Sequence, residues 1–244
     1  MDSILFWIGA LIVFSVLSPL IKHVIAAFAG KQIGAKALAH QPDRIQLQPG
    51  SGDSWRNATA AVKISHPLTS RGFADAGVHT IPELPGVVVQ LLAHVKDSLY
   101  AAVYEHPRAG SWFDLVTRYQ DGSSVTYSTS LPTALKPRPG HPTVNLPGIE
   151  PLAVLDRILA QRPRRPLKPV SPDQAVSVFE QGYADSIDYR KQVGISTGEV
   201  VGTALRKIAC GRASLRRDRA SGTIGSGRRA CQGRPRSGSR RSGI

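Results

Sequence analysis

Residues 4–21, ILFWIGALIVFSVLSPLI, form a run of 18 residues without a charge. As an α-helix such a run covers about 27 Å at 1.5 Å per residue. That is close to the ~30 Å hydrocarbon core of a bilayer. Lys22 can snorkel to the interface, and the apolar stretch then continues to Gly30. Pro19 would kink an isolated helix, but membrane helices tolerate it. The run therefore predicts a transmembrane anchor over residues 1–30, with Ile4, Trp7, Leu11, Phe14, Leu17 and Ile21 as its anchoring residues. A cleaved signal peptide is the rival, and Ala27-Phe28-Ala29 has the form of a cleavage site. Against it, Asp2 is the only charge ahead of the run, whereas Lys22, Lys31, Lys36 and Arg44 follow it. Cations on the carboxyl side predict a single-pass protein of the cell membrane with its soluble part in the cytoplasm.

The formal net charge of +14 is unevenly placed. Residues 1–209 hold 21 Lys+Arg and 16 Asp+Glu, whereas residues 210–244 hold 10 Arg, no Lys and the single acid Asp218. The body is thus only mildly basic. The end is rich in Arg, Gly, Ser and Ala, a composition that builds no core and predicts disorder. It is also what GC-rich codons spell, which favours a frame-shifted end over a selected one. A solvated basic tail with general affinity for anionic lipid or nucleic acid is the alternative. Nucleic acid is not the expected partner, because no aromatic residue in the tail stacks on bases. The expected partners are the lipid bilayer and a protein not named by the sequence.

Residues 31–53 carry Pro42, Pro49, Gly50 and Gly52 without sustained apolar periodicity, and predict a tether. Residues 54–209 are expected to form one α+β domain. Ser54 can cap a helix over residues 55–65, ended by His66-Pro67. The period then changes. VHTI, GVVVQLLAHV, SLYAAVYEH, SWFDLVTRY and SSVTYSTS read as short strands joined by turns such as Lys96-Asp97 and Asp121-Gly122. Short links predict an antiparallel meander of four to five strands. In one of them Phe113, Leu115 and Thr117 share a face, and Trp112, Asp114 and Val116 share the other.

Residues 131–151 hold six prolines and predict an extended loop. Pro151 opens a helix with a stripe of Leu152, Leu155, Ile158 and Leu159. Pro163, Pro166, Pro169 and Pro172 recur at intervals of three, the period of a polyproline spacer. Ser171-Pro172-Asp173-Gln174 then starts a helix to about residue 192, burying Val176, Phe179, Tyr183 and Ile187. Ser196-Thr197-Gly198-Glu199 is a second capping box.

Few motifs carry chemistry. Gly194-Ile195-Ser196-Thr197-Gly198 matches G-x-S-x-G, but that chemistry needs a strand before the serine, and here a helix is predicted. None of the seven histidines stands in H-x-H or H-E-x-x-H spacing, so no metal site is predicted. Cys210 and Cys231 have no histidine between or after them. No phosphate-binding glycine loop or dinucleotide fingerprint is present, so no cofactor is expected. Glu105-His106 and Asp114 could converge near a strand end and do acid–base work as a metal-independent enzyme. Nothing fixes a further partner for them, so the leading expectation is a non-catalytic binding or scaffold domain.

Overall fold

The computed structural model describes residues 32, 34–36, 38–203 and 206. The expected anchor, with Ile4, Trp7, Leu11, Phe14, Leu17 and Ile21, and the expected basic tail lie outside the described residues. Among the described residues no helix is long and apolar enough to cross a membrane.

The domain is α+β. Strands β1 (Gln48–Pro49), β2 (Ala74–Thr80), β3 (Val88–His94), β4 (Leu99–His106), β5 (Gly110–Arg118), β6 (Ser124–Ser128) and β7 (Thr143–Asn145) form one sheet in chain order. Helix α1 (Ala58–Ser70) precedes β2, and α2 (Pro151–Gln161) and α3 (Ala175–Val193) follow β7. Every neighbouring pair is antiparallel except β6 and β7, which are parallel.

The five strands expected from turn chemistry are β2 to β6. The turn before β6 is built as its residues dictate: the Asp121 side chain accepts from the Ser123 N–H at 2.9 Å, and Gly122 takes φ +82°. The sheet is nonetheless wider than the expected four to five strands. β7 lies inside the proline-rich stretch read as loop. It is three residues long between Pro142 and Pro147, and prolines are tolerated at an edge where no ladder bond is needed. β1 falls inside the segment read as tether. There Ile45 is buried, Arg44 makes a bidentate pair with Asp188 at 2.9 Å, and Lys191 pairs with Asp43. The proline spacer is also docked: Lys168 N–H donates to the Arg118 carbonyl at 2.9 Å and Gln120 N–H to that of Pro166 at 3.0 Å.

Both sheet faces are covered, which is why β3 is buried along its whole length. On one face Leu99, Val103, Phe113 and Leu115 pack with Leu68 of α1 and with Val154 and Ile158 of α2. Removing each such side chain from water contributes about 1.5–3 kcal/mol. On the other face Val89, Leu91 and Ala102 meet Ala175, Phe179 and Tyr183 of α3. The alternation read in β5 holds: Phe113 and Leu115 enter the first layer, while Trp112, Asp114 and Val116 face α3.

Helix boundaries differ from expectation. α1 begins after Asn57, whose side chain accepts from the Ala60 N–H at 3.0 Å, rather than after Ser54. It also runs through Pro67. The bond that Pro67 cannot donate belongs to the carbonyl of exposed Lys63, and burial of Ser65 and Leu68 holds the last turn in place. In α2 the buried stripe is Pro151, Val154, Leu155 and Ile158, so Leu152 is left at the surface.

Candidate functional site

The face of β4, β5 and β6 that α3 covers is not fully packed. A groove of about 550 Å³ opens between sheet and helix. Its floor follows from period-two alternation. The register aligns Tyr104 with Trp112, then Ala102 with Asp114 and Ser128, then Tyr100 with Val116 and Thr126, then Arg118 with Ser124. The groove therefore grades along β5 from aromatic, through acidic, to cationic. Phe179, Tyr183, Ser186 and Tyr189 of α3 line the opposite wall.

At the aromatic end Trp112 stacks on Tyr104, with centroids 4.8 Å apart and planes at 15°, and Phe179 lies 5.9 Å from Tyr104. Burial pushes the Tyr104 phenol well above its ordinary value and the Tyr100 phenol up to about 12. Both stay neutral and keep a proton to donate.

Asp114 is the central group. Its Oδ1 is buried and makes no hydrogen bond. Burial pushes the carboxyl up to about 6, while the nearby Ser128 and Tyr104 hydroxyls act in the opposite direction. Asp114 as a whole is half-buried; a carboxylate with one oxygen shut off from solvent and without a donor is a costly arrangement, and such arrangements cluster at functional sites.

The cationic end holds Arg118, Arg138 and His141. Arg138 pairs with Asp185 at 3.1 Å. Arg118 has no hydrogen-bond or ion-pair partner for its side chain among the described residues. The His141 Nδ1 and Ser124 Oγ are 2.8 Å apart. His141 is pushed below its ordinary value, first by burial and then by Arg138, with Asp185 opposing and Arg118 adding to the shift. A serine beside a neutral imidazole invites a nucleophilic reading. Two observations weigh against it: no described group hydrogen-bonds the other His141 ring nitrogen, and the Ser124 N–H is spent on the Gly140 carbonyl at 3.0 Å. The contact instead straps the turn before β7 onto β6.

The three residues singled out from sequence are not brought together. Glu105 sits on the other face of the sheet, buried, where its carboxylate accepts from the Arg56 and Asn57 N–H groups at 2.7 and 3.0 Å. It anchors the start of α1. His106 lines the groove, but its Nδ1 accepts from the Arg108 and Ala109 N–H groups of the adjoining turn. Only Asp114 stands in the groove with a carboxylate oxygen unmet. In the sequence His141 precedes a proline and reads as a polar turn residue, and no motif marks Arg118 or Ser124. The one signal for Arg118 was its place on the Asp114 face of β5, four residues on.

Gly194–Gly198 is a helix-capping segment: α3 precedes it, and the Glu199 carboxylate accepts from Ser196 N–H at 2.9 Å and Oγ–H at 2.8 Å. Among the described residues no group of three or more His, Cys, Asp or Glu is placed to hold a metal ion. No family model matches the chain, and neither does any curated protein or solved structure.

Proposed function

We propose that the chain is a membrane-anchored binding module. Residues 4–21 hold it in the bilayer, the α+β domain lies at the cytoplasmic face, and the groove under α3 receives a ligand. The anchor rests on the uncharged apolar run and the cations that follow it. The binding role rests chiefly on the groove, about 550 Å³ between sheet and α3, where the Asp114 Oδ1 has no hydrogen-bond partner within the protein and so can accept from a ligand. Binding is favoured over catalysis because the nucleophile and base nearest each other, Ser124 and His141, lack an orienting group and an oxyanion site.

Membrane fractionation tests the anchor. The full chain should remain in the pellet after alkaline carbonate and be released only by detergent. Recovery in the soluble fraction with Met1 intact contradicts it. Protease added to sealed, right-side-out vesicles should leave the domain uncut if it faces the cytoplasm.

A second reading is a metal-independent enzyme in which Asp114 moves a proton. The observation in its favour is a carboxyl held at about 6, close to working pH. In that case turnover of a bound compound is abolished in Asp114→Asn although binding persists. On the binding reading no turnover is seen with either chain.

A further inference from the structure

Among the described residues that line the groove, Arg138, Asp185 and Arg190 have ion-pair partners. Arg138 is paired with Asp185, and outside the groove Arg165 with Asp121 at 3.4 Å; Arg190 lies 3.6 Å from Glu199, an ion pair without a hydrogen bond at its buried Nη1. Among the described residues two charges of the groove lack an ion pair, one of each sign: the Arg118 guanidinium, and the Asp114 carboxylate, which has the Ser128 and Tyr104 hydroxyls beside it but no donor from the protein at Oδ1. They stand on the same face of one strand, four residues apart, so their Cα atoms are about 13 Å apart.

The two are too distant to satisfy each other. Between them the floor is Val116 of β5, with Tyr100 and Thr126 beside it. The Tyr100 hydroxyl lies in the field of both, Arg118 favouring its ionisation and Asp114 opposing it, as expected for a group between them. No described residue offers Arg118 a carboxylate: Asp185 is held by Arg138 and Gln181, and Asp121 by Arg165 and Ser123.

Building on the groove as the ligand site, we infer that its ligand is an elongated small molecule with an acid group at one end, held by Arg118, and an amine or hydroxyl donor at the other, held by Asp114. A free oxyanion would satisfy Arg118 and leave Asp114 unmet. An α-amino acid carries both groups, but too close together to reach both residues. Allowing for the reach of the two side chains, the ligand's ends must be on the order of 8–10 Å apart. Its middle is neutral, since it crosses Val116 and the Tyr100 ring. The Ser124 and Ser128 hydroxyls at the two ends are already engaged, with His141 Nδ1 at 2.8 Å and Ser130 Oγ at 2.7 Å, so the two charged residues carry the recognition.

A series of ω-amino acids serves as a ruler. Glycine, 4-aminobutanoate, 6-aminohexanoate and 8-aminooctanoate are titrated calorimetrically into the full chain in detergent micelles, with hexanoate and hexylamine as single-ended controls. The Trp112 indole N–H signal, assigned with Trp112→Phe, reports whether the groove is the place of binding. Affinity should rise at least about tenfold from glycine to the 6- or 8-carbon member, and each single-ended control should bind about tenfold more weakly than its double-ended counterpart. Arg118→Gln should lower 6-aminohexanoate to the level of hexylamine, and Asp114→Asn to that of hexanoate. Arg118→Lys, which keeps the charge, should retain the dependence on length.

Binding that moves the Trp112 signal without dependence on length, or unchanged in Arg118→Gln, overturns the inference and leaves the groove as the ligand site. If none of these compounds moves that signal in a folded chain, the inference and the groove assignment both fail.

Discussion

Replacing Asp114 by Asn should make the protein more stable at neutral pH, the reverse of what most polar-to-polar changes at a buried site do. The magnitude follows from the carboxyl's shift from 3.8 to about 6, for which burial is the main cause. One unit is 1.36 kcal/mol, so ionising this group in the folded protein costs about 3 kcal/mol at most. The sign is that of an acid whose folded value is raised. The folded protein binds the proton more tightly than the unfolded chain, so the contribution of this group to stability is most favourable below about pH 4. It declines as pH rises from about 4 to about 6 and stays lower above that. Asn carries no charge at any pH and removes the decline. Urea unfolding of the full chain in detergent, followed by tryptophan fluorescence at pH 4 and pH 7.5, reads the effect. Asp114→Asn should match the parent at pH 4 and exceed it at pH 7.5 by up to about 3 kcal/mol. A loss of stability at pH 7.5, or a gain equal at both pH values, would refute the assignment of Asp114 as a poorly compensated buried carboxylate.

Glu105→Gln should cost about 2 kcal/mol, because a charged acceptor for the Arg56 and Asn57 N–H groups is lost. The same variant should leave ligand affinity in the groove unchanged, since Glu105 faces the other layer. Glu199 is held down to about 2, first by the Lys136 N–H, against burial, then by the Ser196 N–H and hydroxyl and by Arg190. The stability it contributes is present above its ordinary value of 4.5 and is lost as pH falls toward 2. Glu199→Gln should therefore be less stable than the parent by about 2 kcal/mol at pH 7, with the difference closing in acid; equal stability at pH 7 would contradict the capping role.

Much of the architecture was legible because it is written locally. The alternation in β5 and the turn at Asp121-Gly122 fix strands and faces without knowledge of distant residues. The capping boxes at Ser171 and Ser196 announced two helical starts for the same reason. What was not legible depends on partners far away in the chain. β1 and β7 are two and three residues long, too short to show a period, and exist because β2 and β6 present free edges. The start of α1 is set by Glu105, nearly fifty residues on, which turned a candidate catalytic carboxylate into a helix anchor. Asp114 was placed on the correct face of β5. Nothing local said that α3 would roof that face and leave its carboxylate unmet, or that Arg118 would lack a partner while Arg138 found Asp185.

The most direct test of the groove as a binding site is crystallographic. Crystals of the chain would be soaked with a diverse set of small polar and aromatic fragments, and the bound positions mapped. The account predicts fragments gathered between β5 and α3, with a donor atom within hydrogen-bonding distance of Asp114 Oδ1. Fragments scattered over the surface with that carboxylate oxygen still unmet would contradict it.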